Sequence, residues 1–305
     1  MGAWKIAFVV AGLGFLSPIG AEELAVYFPD YRFREGEPVE FYGTTNLILF
    51  SAVPKESGEV DFSRISERMI KMGNAAKESN PDLKITVSVG GWGRGNIFGK
   101  AVETSESRER FIDSLVGYCE EHSLDGIDID WEYPKTEREH SDFTLFLTAL
   151  SEKLHGDNRI LTVALSYNRP LSAEAYAAID YVHVMSYQPW NPPRGSYEEW
   201  LREAVKEMLD SGLPADKLVL GMPFYIKEMG GERKAISWKK LVGEDSLAIP
   251  SSEFGYSPTG KDICDMRVSM MKEFGLGGVM VWDYGHDSPD PEHSLLKHLS
   301  DSIAK

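Results

Sequence analysis

Short apolar runs rich in β-branched residues alternate along the chain with longer stretches of helical period. The strand candidates are ELAVYF (23–28), TNLILFSAV (45–53), KITVSVGG (84–91), GIDIDWEY (126–133), RILTVALSY (159–167), YVHVMSY (181–187), KLVLGMPF (217–224) and GGVMVWDY (277–284). Amphipathic segments follow most of them: FSRISERMIKMGNAAKES, SRERFIDSLVGYCEEH, EHSDFTLFLTALSEKLH, SYEEWLREAVKEMLDSG and EHSLLKHLSDSIAK. Strands that alternate with helices pair in parallel, and eight such units in this length predict a single closed (β/α)8 TIM barrel. Two connections depart from the pattern. The first, PDYRFREGEPVEF, holds no convincing helix, so the first helix is short or missing. The seventh, residues 226–260, reads as a Gly-, Ser- and Pro-containing loop too short for a large α+β insertion domain.

The first 21 residues differ from the rest. A cationic start (MGAWK), an apolar run (IAFVVAGLGFL) and small residues before Glu22 have the layout of a secretory signal peptide, cleaved near Ala21. The apolar run falls short of the roughly 20 residues a membrane span needs. The expectation is an exported protein of residues 22–305 forming one domain, without a membrane span. The periplasm, the cell surface and the medium all remain open as destinations.

Composition changes this picture little. The 305 residues are 42% hydrophobic and 26% charged, as in ordinary globular proteins. The formal net charge of −16 disfavours nucleic acid as a partner. The two cysteines, Cys119 and Cys264, lie in helix-like segments far apart in the chain, which favours buried free thiols over a disulfide. Oligomeric state is not legible.

One strand carries the chemistry. DGIDIDWE, residues 125–132, places four carboxylates in eight positions. Asp125-Gly126 reads equally well as a turn. Asp128, Asp130 and Glu132, however, share one face of the strand at steps of about 6.6 Å, and Ile127, Ile129 and Trp131 share the other. If the apolar face packs on the helices, the acids point into the barrel and toward the C-terminal strand ends, where active sites of this architecture lie. Three ionised neighbours there are too costly, so protons are shared and carboxyl pKa values raised, as a general acid requires.

These residues carry a resemblance. DGIDIDWE fits the D-x-x-D-x-D-x-E signature of glycoside hydrolase family 18, which contains chitinases and endo-β-N-acetylglucosaminidases. SVGGW (88–92) resembles its third-strand motif, VMSYQ (184–188) its sixth-strand Met-x-Tyr-Asp motif, and GGVMVWDY (277–284) its eighth-strand motif. The resemblance implies a retaining, substrate-assisted mechanism. Glu132 would be the acid and base, Asp130 would hold the substrate acetamide N–H, Asp128 would share its proton with Asp130, and Tyr187 would donate to the acetamide oxygen. Trp282 would form the floor under the reacting sugar. Trp92, Tyr27, Phe50, Tyr225 and Met185 are candidates for lining the binding cleft, with Trp190 a further aromatic near it. Ser88 and Gly91 read as supports of the cleft wall.

The implied partner is an oligo- or polysaccharide containing N-acetylglucosamine, and no cofactor or metal is implied. Gln188 stands where most chitinases of the family have Asp. That amide nudges specificity toward endo-β-N-acetylglucosaminidase action on N-glycoproteins, although chitinase-like activity is the family default. A lectin of the same fold would typically lack the acid at Glu132. A metal-dependent hydrolase would need several His ligands, and only His183 lies in a strand, as lumenal core or as part of a site.

Overall fold

The computed structural model describes residues 22–36, 39–187, 195–227, 235–243 and 258–305. In chain order its strands are β1 (Glu23–Pro29), β2 (Asn46–Pro54), β3 (Val60–Asp61), β4 (Lys84–Gly90), β5 (Gly126–Asp130), β6 (Ile160–Leu165), β7 (Tyr181–Val184), β8 (Leu218–Pro223), β9 (Tyr225–Lys227), β10 (Ala235–Ser237) and β11 (Gly278–Trp282). Eight of them, β1, β2, β4, β5, β6, β7, β8 and β11, pair in parallel in that order. β1 closes the ring by pairing with both β2 and β11. This is the expected (β/α)8 barrel.

The helices are α1 (Glu67–Ser79), α2 (Phe98–Ala101), α3 (Ser105–His122), α4 (Glu137–Gly156), α5 (Ala173–Ala178), α6 (Tyr197–Asp210), α7 (Trp238–Gly243), α8 (Lys261–Phe274) and α9 (Leu295–Ile303). Side-chain caps fix several starts. Thr104, Thr136 and Ser196 each accept from the N3 backbone of α3, α4 and α6, and the N3 side chain answers at the cap. Among the described residues between β1 and β2 the one helical element is a 3-10 turn, Asp30–Arg32, in line with a short or missing first helix. Among the described residues, no helix is long and apolar enough to cross a membrane.

The described residues of the seventh connection include elements that its composition did not predict. β9 and β10 form an antiparallel hairpin and α7 follows, because Ile226, Trp238 and Leu241 are buried and the Trp238 indole N–H donates to the carbonyl of His293 at 2.6 Å. The hairpin and helix are small, and no large insertion domain is indicated.

Alternation along the strands separates two interiors. Ile127, Ile129, Val87, Val89, Val163 and their equivalents face the helices in one extensive apolar layer. A smaller cluster fills the lumen: Ala25, Tyr27, Ile48, Phe50, Ala164, Val219 and Met280, with Met185, Tyr187 and Trp282 above it. Both cysteines are buried and free.

Candidate active site

β5 ends at Asp130, three residues before the end expected from its pattern, because its partner β4 ends opposite at Gly90. Trp131 and Glu132 therefore begin the loop at the barrel mouth. Trp131 keeps its outward role, stacked on Phe98 at 5.4 Å and edge-on to Phe143 at 5.1 Å. That anchoring turns Glu132 to the opposite side. Farther along, the loop is held by Glu139, whose carboxylate accepts the N–H groups of Lys135 and Thr136 at 2.7 and 3.0 Å.

Asp128 is fully buried and saturated with donors. It accepts from the Tyr27 hydroxyl at 2.9 Å and from Thr162 Oγ1 at 2.7 Å, and lies 3.2 Å from His183 Nδ1. Burial raises its pKa, but the bonds to His183 and Thr162 outweigh that and hold it below the ordinary carboxylate range. Asp130, one step up the strand, has a buried Oδ1 with no partner. Burial, with Glu132 on one side and Asp128 on the other, pushes it well above the ordinary range. Glu132 is also raised by burial, although the Tyr133 side chain and the Trp92 backbone hydrogen-bond to it and pull the other way. β5 and the loop that leaves it thus hold a low-pKa carboxylate beneath two that retain protons more readily, the arrangement a general acid needs.

The wall opposite is built by SVGGW. Gly90 and Gly91 both have positive φ, 102° and 92°. A Cβ at Gly90 would lie 2.3 Å from the Asp130 carbonyl oxygen, and one at Gly91 would lie 2.3 Å from the Phe50 ring. Only this close approach lets the Gly91 N–H bond the Asp130 carbonyl at 2.7 Å and bring the Trp92 backbone to Glu132. The Trp92 side chain itself is 80% exposed at the rim.

Trp282, at the end of β11, stands edge-on to Phe50 at 4.8 Å and tilted to Tyr27 at 5.5 Å, partly exposed. Tyr27 and Phe50, expected along the cleft, lie under Trp282 instead, 1% and 5% exposed. Tyr225 is likewise buried, with its ring 6.5 Å from that of Tyr187. Met185 is half-buried in the lumenal cluster. The Tyr187 hydroxyl points to Met280 Sδ at 3.6 Å, and burial, then Tyr225, Asp130 and Glu132, raise its pKa well above the usual phenol value. Gly221 makes this placement possible, since a Cβ there would sit 2.9 Å from the Tyr187 ring. Gln188 and Trp190 lie outside the described residues.

Asp125 takes a structural place. Its Oδ2 accepts from the Ile85 N–H at 2.6 Å and from Lys77 Nζ at 2.5 Å, at the end of β5 remote from Glu132. Sequence reasoning did not find Thr162, Tyr133, Gly221 or the pairing of His183 with Glu23. The available signal was parity, since His183 alternates with Tyr181 and Met185, and Glu23 with Ala25 and Tyr27, on lumen-facing positions.

Residues 23–287 match the model of "Glycosyl hydrolases family 18". Chitinase A1 of Niallia circulans is 31% identical over 73% of this chain, and chitinase 1 of Aphanocladium album is 28% identical over 74%. The chain spans 43% and 65% of the lengths of those two proteins. Among solved structures, human YKL-39, described as a pseudo-chitinase with retained chitooligosaccharide binding properties, superposes with a TM-score of 0.78 at 20% identity, covering 93% of this chain and all of its own.

Proposed function

Since the chain belongs to the glycosyl hydrolases of family 18, we propose that it hydrolyses β-1,4 bonds following N-acetylglucosamine in chitin-type oligosaccharides, with retention and with help from the substrate. The observation that carries this reading is the ladder of Asp128, Asp130 and Glu132 rising from a donor-saturated anion to an acid at the mouth, beside Tyr187 and Trp282.

A sugar resting its C–H face on Trp282 has its acetamido group beside Asp130 and Tyr187. Glu132 protonates the glycosidic oxygen as the bond to the anomeric carbon breaks. The acetamide oxygen, oriented by the Tyr187 hydroxyl, attacks that carbon from the other face and forms an oxazolinium. Asp130 accepts the acetamide N–H and stabilises the positive charge that develops there. Glu132, now a carboxylate, takes a proton from water, whose oxygen opens the ring and restores the starting configuration. No second carboxylate nucleophile is needed. Among the family's alternatives, the named relatives favour chitinase over endo-β-N-acetylglucosaminidase. Residues 22–305 are read as one catalytic barrel, exported after loss of residues 1–21 on the layout of that segment alone.

The test is mass spectrometry of products from chitooligosaccharides and, separately, from N-glycoproteins. Shorter N-acetylglucosamine oligomers are expected from the first and nothing from the second. In Glu132→Gln, turnover is expected to fall by about 10³-fold or more with oligosaccharide binding retained by calorimetry. Glycan release from glycoproteins with chitooligosaccharides left intact would reassign the substrate. Binding without turnover in the unaltered protein would make it a lectin.

A further inference from the structure

Below the carboxylates, the polar face of the lumen continues in residues that the proposed reaction does not use. His183 on β7 is fully buried between two carboxylates from different strands. Its Nδ1 is 3.2 Å from Asp128 Oδ1 and its Nε2 is 3.3 Å from Glu23 Oε2. Glu23, the first residue of β1, is 4% exposed. Its other oxygen accepts from Asn46 Nδ2 at 3.0 Å, and the Asn46 carbonyl accepts in turn from Thr86 Oγ1 at 3.0 Å.

Hydrogen-bond accounting fixes the proton on Nδ1. Tyr27 has one hydroxyl proton, and it is donated to Asp128 Oδ2. Toward His183 Nδ1, 3.1 Å away, the phenol oxygen can then only accept. Nδ1 therefore faces two acceptors, Tyr27 Oη and Asp128 Oδ1, and must carry a proton. Nε2 faces only a carboxylate oxygen that already has an amide donor on its partner oxygen. With protons on both nitrogens the ring is an imidazolium, and every contact around it is satisfied.

We infer that Glu23 and His183 are a positioning pair, a buried carboxylate–imidazolium unit that locks Asp128 as an anion and leaves the site's exchangeable proton to Asp130 and Glu132. This rests on the reaction proposed above and explains which member of the ladder is the fixed charge. The groups around His183 are Glu23 and Tyr27 from β1, Asp128 and, one step up, Asp130 from β5, and its cross-strand neighbours Ala164 on β6 and Val219 on β8, with Tyr181 on its own strand near Glu23. The other cation fully buried among the described residues, Arg267, lies outside the barrel against Tyr197. His183 is thus the local counter-charge for this column of acids. Electrostatics agree with the geometry: burial lowers the imidazole pKa, but Glu23 and Asp128 outweigh it and raise it to about 9. Coulomb attraction to His183 also partly offsets the elevation of Asp130.

The primary test needs no turnover. In the intact protein with 15N-labelled histidine, the His183 resonances, identified by their loss in His183→Asn, should show both ring nitrogens protonated from pH 6 to 8. A neutral ring at pH 7 would overturn the inference even if the protein proves an active chitinase, and an imidazolium would uphold it even if no substrate is found. Glu23→Gln should lower the pH of His183 deprotonation by at least about one unit, which also serves if His183→Asn does not fold. The second test is the pH profile of kcat/KM on a chitooligosaccharide. Loss of the cation in His183→Asn should move the acid limb up by about one pH unit, roughly tenfold in rate on that limb. A profile lowered uniformly with its limbs in place would reduce His183 to a structural part and defeat the inference.

Discussion

Strand β5 presents two buried faces within five residues, and they are held in opposite ways. Ile127 and Ile129 face the helix layer, where many neighbours of similar size supply contact and no single partner is specified. Asp128 and Asp130 face the lumen, where Asp128 depends on Tyr27, Thr162 and His183, each on a different strand. The difference is one of tolerance. An apolar face is stabilised by area and packing, so it accepts alternatives of about the same volume. A buried charge is stable only if each partner is present. The outer face therefore determines that the barrel forms, and the inner face determines what it can do.

Truncation on the outer face should give the largest effect on stability and almost none on chemistry. Ile129→Ala leaves a cavity in a fully buried position and should cost about 2–5 kcal/mol in urea unfolding, with activity per folded molecule within about twofold. A fall in kcat without loss of stability would mean that the outer face tunes the acids directly, and the contrast between the faces would fail.

The inner face should give a pH-dependent effect that the outer face cannot. The folded-state pKa of His183 is raised from the ordinary 6.5 to about 9. Its contribution to stability is therefore fully present below about pH 6.5 and is lost as pH rises toward 9, on the order of 3 kcal/mol in all. The depressed pKa of Asp128 acts at the other end, with stability present above its unfolded value near 3.8 and lost as pH falls below it. Urea midpoints measured from pH 6 to 9.5 should decline in the unaltered protein, and His183→Asn should flatten much of that decline. An equal slope in both would place the titration elsewhere.

Legibility in the sequence divides along the same two faces. The alternation of GIDIDWEY was enough to assign both faces of β5, because side-chain period is a local property. It overran the strand end by three residues, since the end is set by where β4 stops, and β4 stops at the Gly90–Gly91 turn. The partners of Asp128 were not legible. Tyr27 and His183 lie 101 and 55 positions away, and Glu23 lies 160 from His183, so their meeting depends on the register of a closed barrel rather than on any local spacing. Tyr27 and Phe50 are indistinguishable in sequence from residues that line a cleft, because an aromatic near a strand end has the same local signature whether it touches ligand or supports the residue that does. The β9–β10 pairing has no signature of its own in the sequence, because its short strands sit in a segment of loop composition.

The smallest effect on stability is expected where a tryptophan has no interior at all. Trp131 and Trp92 both flank Glu132, one through the chain and one through the Trp92 backbone, yet Trp131 is buried against Phe98 and Phe143 while Trp92 is 80% exposed. Removing an exposed side chain leaves no cavity, so Trp92→Ala should change stability by less than about 0.5 kcal/mol. An aromatic face held open at the mouth still offers a stacking surface to a sugar beyond the cleaved bond, worth about 0.5–1.5 kcal/mol. The expected result is a several-fold rise in KM for long chitooligosaccharides, little change for the shortest cleaved one, and an unaltered kcat. If KM is unchanged at every length, Trp92 serves the site only through its backbone N–H to Glu132, and the rim contributes nothing to binding.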